Sequence, residues 1–175
     1  MRFNGEKYVV IPDGVAGLAK KNSTKLILEA KESESYLGKC YRGYKWSGWP
    51  RDSRSGSGAD YAECGFAEPV LNFACTPNSP YIELSIEIGM PGLEDGEQTS
   101  VRAYVGKKRF NLNGRGSYSD YVGGTRPVLN IKKTDPFFSE FKKASRVSLV
   151  FGRTKFTAHL KGSAGAINAL FASCR

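Results

Sequence analysis

The chain has 175 residues, with 26 Lys and Arg against 17 Asp and Glu for a formal charge of +9, and it is 40% hydrophobic. That composition excludes a disordered chain, and no apolar run approaches the roughly 18 residues that a membrane-crossing helix requires. The positive balance favours acidic partners such as nucleic acid, anionic lipid or envelope polymers, against the plainer reading in which dispersed charge only keeps the surface solvated.

The length fits a single β-rich domain over residues 1–175, with residues 1–63 as a candidate N-terminal extension. Lys7 to Ile11 reads as a short strand, Pro12-Asp13-Gly14 as a turn, and Lys25 to Ala30 as a second strand. Nothing at the N-terminus reads as a signal peptide. That fits a cytosolic protein, and equally a mature fragment carrying an added Met1.

Lys39 to Ala59 differs from the rest. Tyr41, Tyr44, Trp46 and Trp49 are interleaved with Lys39, Arg42, Lys45, Arg51 and Arg54, and Ser53 to Gly58 then reads as flexible Ser/Gly chain. Cations beside aromatic faces suit stacking on bases or sugars while neutralising anionic groups. Arg42, Tyr44, Lys45, Trp46, Trp49 and Arg51 are therefore the first candidate binding set. The competing reading puts the tryptophans in the core with the basic stems lying around them, and for Trp46 alone the core is the better reading.

Val70 to Cys75 and Tyr81 to Ile88 form a hairpin across Thr76 to Pro80, with Ile82, Leu84, Ile86 and Ile88 inward and Glu83, Ser85 and Glu87 toward water. Gly89 to Glu97 reads as an acidic loop whose spacing does not match a calcium-binding loop. Val101, Ala103 and Val105 alternate on another strand. Gly106-Lys107-Lys108-Arg109 reads as a basic turn, and Lys107, Lys108 and Arg109 are the second candidate binding set. Asn113 to Gly124 reads as loop, and Gly114 to Ser117 as a glycine-rich stretch able to meet an anion.

Asp135-Pro136 is a helix start with the carboxylate as N-cap, followed by Phe137, Phe141 and Ala144 on one face and Lys142 and Lys143 in the last turn. Val147, Leu149 and Phe151, then Phe156, Ala158 and Leu160, give two strands joined at Gly152-Arg153. Ser163 reads as the N-cap of a closing helix that turns Ile167, Leu170, Phe171 and Cys174 inward. Seven to nine strands and two short helices, near 135–144 and 163–174, predict a mainly β protein: an antiparallel β-sandwich with helices at its ends.

The cysteines at 40, 64, 75 and 174 contain no C-x-x-C pair, and the single histidine, His159, is not spaced to join them around zinc. No metal or cofactor is implied. Four scattered cysteines fit two disulfides. Three pairings are open, and Cys75 with Cys174 and Cys40 with Cys64 is preferred, against four buried free thiols. Catalytic signatures are sparse: there is no nucleophile elbow, phosphate loop or dinucleotide fingerprint.

The runs LNFACTPNSPYIELSIEI, VRAYVGKKRFNL and DPFFSEFKKASRVSLVFGRTKFTAHLKGSAGAINALFASC resemble bacterial exported domains of the invasion-associated locus B kind and the VasI-type accessory proteins of type VI secretion. The resemblance spans Cys64 to Arg175. It implies a periplasmic or secreted β-sandwich that acts by binding, and it carries no catalytic residues over. The expectation is a non-enzymatic, exported binding or adaptor protein (a secretion accessory, an invasion-associated factor or an inhibitor) whose partner is a protein or an anionic envelope polymer. The alternatives are a cytosolic nucleic-acid-binding module using residues 39–54, should the cysteines be reduced, and a small cell-wall hydrolase.

Overall fold

A computed structural model describes residues 36–52, 56–76 and 78–174, all within one unit, Ser33–Arg175. The strands and turn expected between Lys7 and Ala30 lie outside the described residues, as do Ser53, Arg54 and Ser55 and the side chain of Arg51.

Ten strands follow in order: β1 (Tyr36–Leu37), β2 (Tyr44–Asp52), β3 (Gly56–Glu63), β4 (Pro69–Cys75), β5 (Tyr81–Ile86), β6 (Gln98–Val105), β7 (Lys108–Ser119), β8 (Gly124–Lys132), β9 (Arg146–Phe151) and β10 (Thr154–His159). Helix α1 (Pro136–Phe141) precedes β9, and α2 (Ser163–Ser173) follows β10. The described residues are mainly β with two short helices, as the alternation predicts. All ten strands pair antiparallel in one sheet, ordered β1-β2-β3-β4-β5-β8-β7-β6-β9-β10. The layers expected of a sandwich are the two flanks of this single curled sheet.

Side chains draw the two flanks together. The Trp46 indole Nε1–H on β2 donates to the His159 carbonyl at the end of β10 at 2.8 Å, and the His159 amide donates to the Tyr61 hydroxyl on β3 at 3.4 Å. The trough between the flanks holds the helices. α2 packs on β2 and β3. From α1, Phe137 and Phe141 are buried, with Phe141 edge-on to Trp46 and Phe73. Such edge-to-face pairs add to the stabilisation that aromatic burial provides.

Asp135 caps α1, accepting from the Phe137 amide at 2.8 Å. The helix ends at Phe141, so Lys142 and Lys143 stand just beyond it. α2 starts differently from expectation: its N-cap is Gly162 at φ 94°, and Ser163 is its first residue, buried with its hydroxyl on the Phe141 carbonyl. Both preferred disulfides are present, Cys40–Cys64 and Cys75–Cys174, and there are no free cysteines among the described residues. The second ties β4 to the end of α2 across 99 residues of chain.

Three further expectations about the strands need correction. Asn113 to Gly124 is mostly strand, not loop: β7 runs through Gly114 and Gly116 to Ser119. Those glycines are required because a Cβ at Gly114 would strike the Val128 backbone, and one at Gly116 the Glu94 carbonyl. The Ser/Gly stretch enters β3 at Gly56, with Ser57 and Gly58 buried. Ser85 and Glu87 do not face open water either: Ser85 is buried, and Glu87 pairs with Arg126 at 2.6 Å.

Candidate functional site

The first candidate set does not form one surface. Alternation along β2 sends Tyr44 and Trp46 into the trough and Lys45 and Trp49 to the opposite face. Trp46 is 1% exposed and touches Tyr61, Phe73 and Phe141, so it cannot meet a ligand while the fold is intact. Tyr44 stacks on Tyr61, with centroids 5.0 Å apart. Trp49 lies over Gly58, the residue opposite it on β3, where a Cβ would run into the indole.

Arg42 is placed differently. Tyr41 and Tyr44 close a two-residue turn with Arg42 and Gly43 at its tip, both at positive φ, 53° and 82°. The twist of a tight hairpin demands that conformation. The Cys40–Cys64 bridge and a Cys64 amide bond to the Gly43 carbonyl at 2.8 Å fasten the turn to the end of β3. Arg42 stands 5.6 Å from the Tyr41 ring centroid, and Lys161 covers the same ring at 4.7 Å. The ring edge of His159 completes this cluster, 5.5 Å from Tyr41 between centroids. These groups and Arg146 line a cleft of about 500 Å³.

Of the second set, only Lys107 lies in the turn, beside Gly106. Lys108 and Arg109 open β7, opposite Val105 and Tyr104. Lys108 is paired with Glu140 at 2.8 Å, while Arg109 projects on the outer face of the sheet.

Arg109 leads to a feature that is invisible in the linear sequence. The register aligns Arg109, Tyr104, Ser148 and Thr157 in one row across β7, β6, β9 and β10, and Asn111, Arg102, Val150 and Lys155 in the next. Arg146, paired with His159 on β10, stands at the following position on the same face. Arg102, Arg109, Arg146 and Lys155 are all exposed. None of β6, β7, β8, β9 and β10 contains an aspartate or glutamate.

Strands stand about 4.8 Å apart, so Arg102 and Lys155, in one row and two strands apart, lie about 10 Å from each other, close to one Debye length at physiological salt. Their potentials sum over a face without a compensating carboxylate, which suits an extended anion. Tyr104 is 39% exposed at the centre and presents a flat apolar ring, beside a Ser148–Thr157 hydroxyl pair at 2.9 Å. Tyr104, Arg146, Ser148, Lys155 and Thr157 line a second cleft of about 480 Å³, and Arg146 borders both clefts.

The acidic loop is occupied with its own backbone. Glu97 accepts from the Glu94 amide at 2.9 Å and Asp95 from the Tyr118 amide at 2.8 Å. On the outer side of β3, burial pushes the Asp60 carboxyl up to about 7, opposed by the bond from Asn72 and reinforced by Glu87. Burial also raises Glu87, against the attraction of Arg126.

Scanned against protein-family models and against curated proteins, the chain matches none. Among solved structures it is similar to invasion associated protein B from Bartonella henselae, at 13% identity and TM-score 0.47, over 78% of this chain and 97% of that one. This is one of the two kinds of protein that residues 64–175 resemble in sequence. Two disulfides favour an exported protein, and no helix among the described residues is long and apolar enough to cross a membrane.

Proposed function

We propose that this is an exported, non-enzymatic binding protein of the bacterial envelope or a host surface, holding an anionic macromolecular partner on the outer face of β7, β6, β9 and β10. The observation that carries the reading is the pair of cross-strand rows in which Arg102, Arg109 and Lys155 surround Tyr104, in strands free of carboxylates. Arg146, Lys161 and Arg42 extend the positive track toward the Tyr41 turn. The disulfides favour an oxidising compartment and so an envelope or extracellular anion over cytosolic nucleic acid.

The test is calorimetric titration of the disulfide-intact protein with heparin, and with neutral dextran as control, at low and high salt. The wild type binds heparin with an affinity that falls steeply with salt. Arg102→Glu with Lys155→Glu lowers it at least about tenfold, a change equivalent to ~1.4 kcal/mol. Unchanged heparin affinity in a folded double variant overturns the assignment of the site. A preference for a nucleic-acid duplex over heparin at equal charge moves the reading to the nucleic-acid alternative.

A further inference from the structure

The outer edge of β10 is the last in the sheet order and pairs with no other described strand. Its hydrogen-bonding phase follows from His159. The Leu160 amide bonds back to the Ser145 carbonyl at 2.9 Å, whereas both backbone groups of His159 point away from β9, toward Trp46 and Tyr61. In an antiparallel ladder that direction alternates with every residue. Lys155 and Thr157, at the same phase as His159, therefore aim their N–H and C=O groups outward, while Phe156 and Ala158 bond to β9. The side chains alternate too: Lys155 and Thr157 stand exposed on the basic face, and Phe156 sits half-buried at the rim of the trough.

We infer that the edge of β10 from Thr154 to Ala158 accepts an extended segment of a partner protein as an eleventh strand, with acidic residues alternating with apolar ones. This deepens the proposed function, since it names the protein partner that the basic face would take. An added strand continues both rows. Its outward side chains fall beside Lys155 and Thr157, where carboxylates match Lys155 and Arg146, and its inward side chains fall beside Phe156. Main-chain hydrogen bonds supply the affinity in such strand addition, and the alternating side chains supply the selectivity. A second copy of β10 fits poorly, because Arg153 and Lys155 of one chain would face the same cations of the other. A lysine on an edge strand opposes self-pairing in this way. At the far end Trp46 and Tyr61 already occupy the edge at His159, which limits the docked segment to the four groups of Lys155 and Thr157.

The probe is a fluorescent peptide of alternating Glu and Val, eight residues long and capped at both ends, titrated into the disulfide-intact protein. Fluorescence anisotropy gives the affinity, and amide exchange by NMR gives the location. Binding slows exchange at Lys155 and Thr157 and leaves Phe156, already bonded to β9, little changed. Thr157→Pro removes an outward N–H without touching the β9 ladder, and an outward-facing position on an edge strand is one where proline is tolerated. It weakens the peptide at least tenfold, whereas Thr157→Ala changes it less than threefold. Peptide binding without protection of those two amides, equal affinity in Thr157→Pro, or no binding each overturns the inference. So does a concentration-dependent dimer that Thr157→Pro abolishes, because the edge then serves a second copy. Heparin titration of Arg102→Glu, a residue on β6 two strands from this edge, tests the basic-face reading by itself, so the two can fail separately.

Discussion

Two regions of this molecule carry positive charge beside aromatic rings, and they present it in opposite ways. From Lys39 to Asp52 the residues are contiguous, and the strand that holds them deals them to both sides of the sheet: Trp46 and Tyr44 inward, Lys45 and Trp49 outward, Arg42 to a turn. On β6, β7, β9 and β10 the cations are scattered over more than fifty positions of sequence, and register gathers them into two rows on one face. In a β protein, density along the chain is a poor guide to density in space. The period of two halves a contiguous cluster, whereas cross-strand pairing multiplies single residues.

The sharpest way to break this comparison is to truncate the residue that looks most like a ligand contact. Trp46→Ala removes a fully buried indole and its bond to the His159 carbonyl. The expected loss is about 3–5 kcal/mol of stability, measured by urea unfolding with the disulfides intact. At low temperature, where the variant stays folded, heparin affinity is unchanged. A variant of normal stability with weakened binding would return Trp46 to the surface and reverse the assignment of the two regions.

Much of the fold was legible because the inward faces were legible. Ile82, Leu84 and Ile86, or Val147, Leu149 and Phe151, alternate without interruption and are all buried. The Asp135 cap announces α1 by its own chemistry. The preference for Cys75–Cys174 rested on a cysteine that continues the inward stripe of α2, one residue past its end at Ser173. What stayed hidden depends on neighbours distant in sequence. Gly114 and Gly116 looked like loop because their reason, the approach of Val128 and Glu94, lies on other segments. The basic rows stayed hidden because residues 102, 109 and 155 acquire a common face only once β6 is known to lie between β7 and β9. One signal was available: the strands after residue 98 carry lysine and arginine at outward positions and no acid. Of the two candidate sets, Arg42 lines the first cleft and Arg109 joins the row with Tyr104, while Lys108 is drawn off by Glu140.

A second contrast between the flanks is their response to pH. The basic face holds permanent charge, whereas the outer side of β3 holds Asp60, whose carboxyl is raised to about 7 by burial. Unfolding returns it to the ordinary range near 3.8. Between those values the folded state binds the extra proton, so this group's stabilisation is full below about pH 4 and is lost as pH rises through about 7. Asp60→Asn keeps an acceptor for Asn72 and cannot ionise. Thermal unfolding should show the variant gaining on the wild type as pH rises from 5 to 8, with the two alike near pH 4. A gap that does not widen with pH would mean that Asp60 is ionised in the folded protein throughout.

The smallest effect tests whether charge alone or its placement matters. Lys108 and Arg109 are adjacent in sequence, yet Lys108 reaches Glu140 on α1 while Arg109 stands in the row with Tyr104. The Lys108–Glu140 pair is exposed, and exposed pairs contribute only about 0–1 kcal/mol. Lys108→Ala should therefore leave both the unfolding midpoint and heparin affinity close to wild type, while Arg109→Ala, with the same loss of one charge, weakens heparin several-fold. Equal weakening by both substitutions would show that the partner senses only net charge, and the cross-strand rows would lose their claim to be a site. A difference between two neighbouring residues of like charge follows from strand geometry alone, because they project to opposite sides of the same strand.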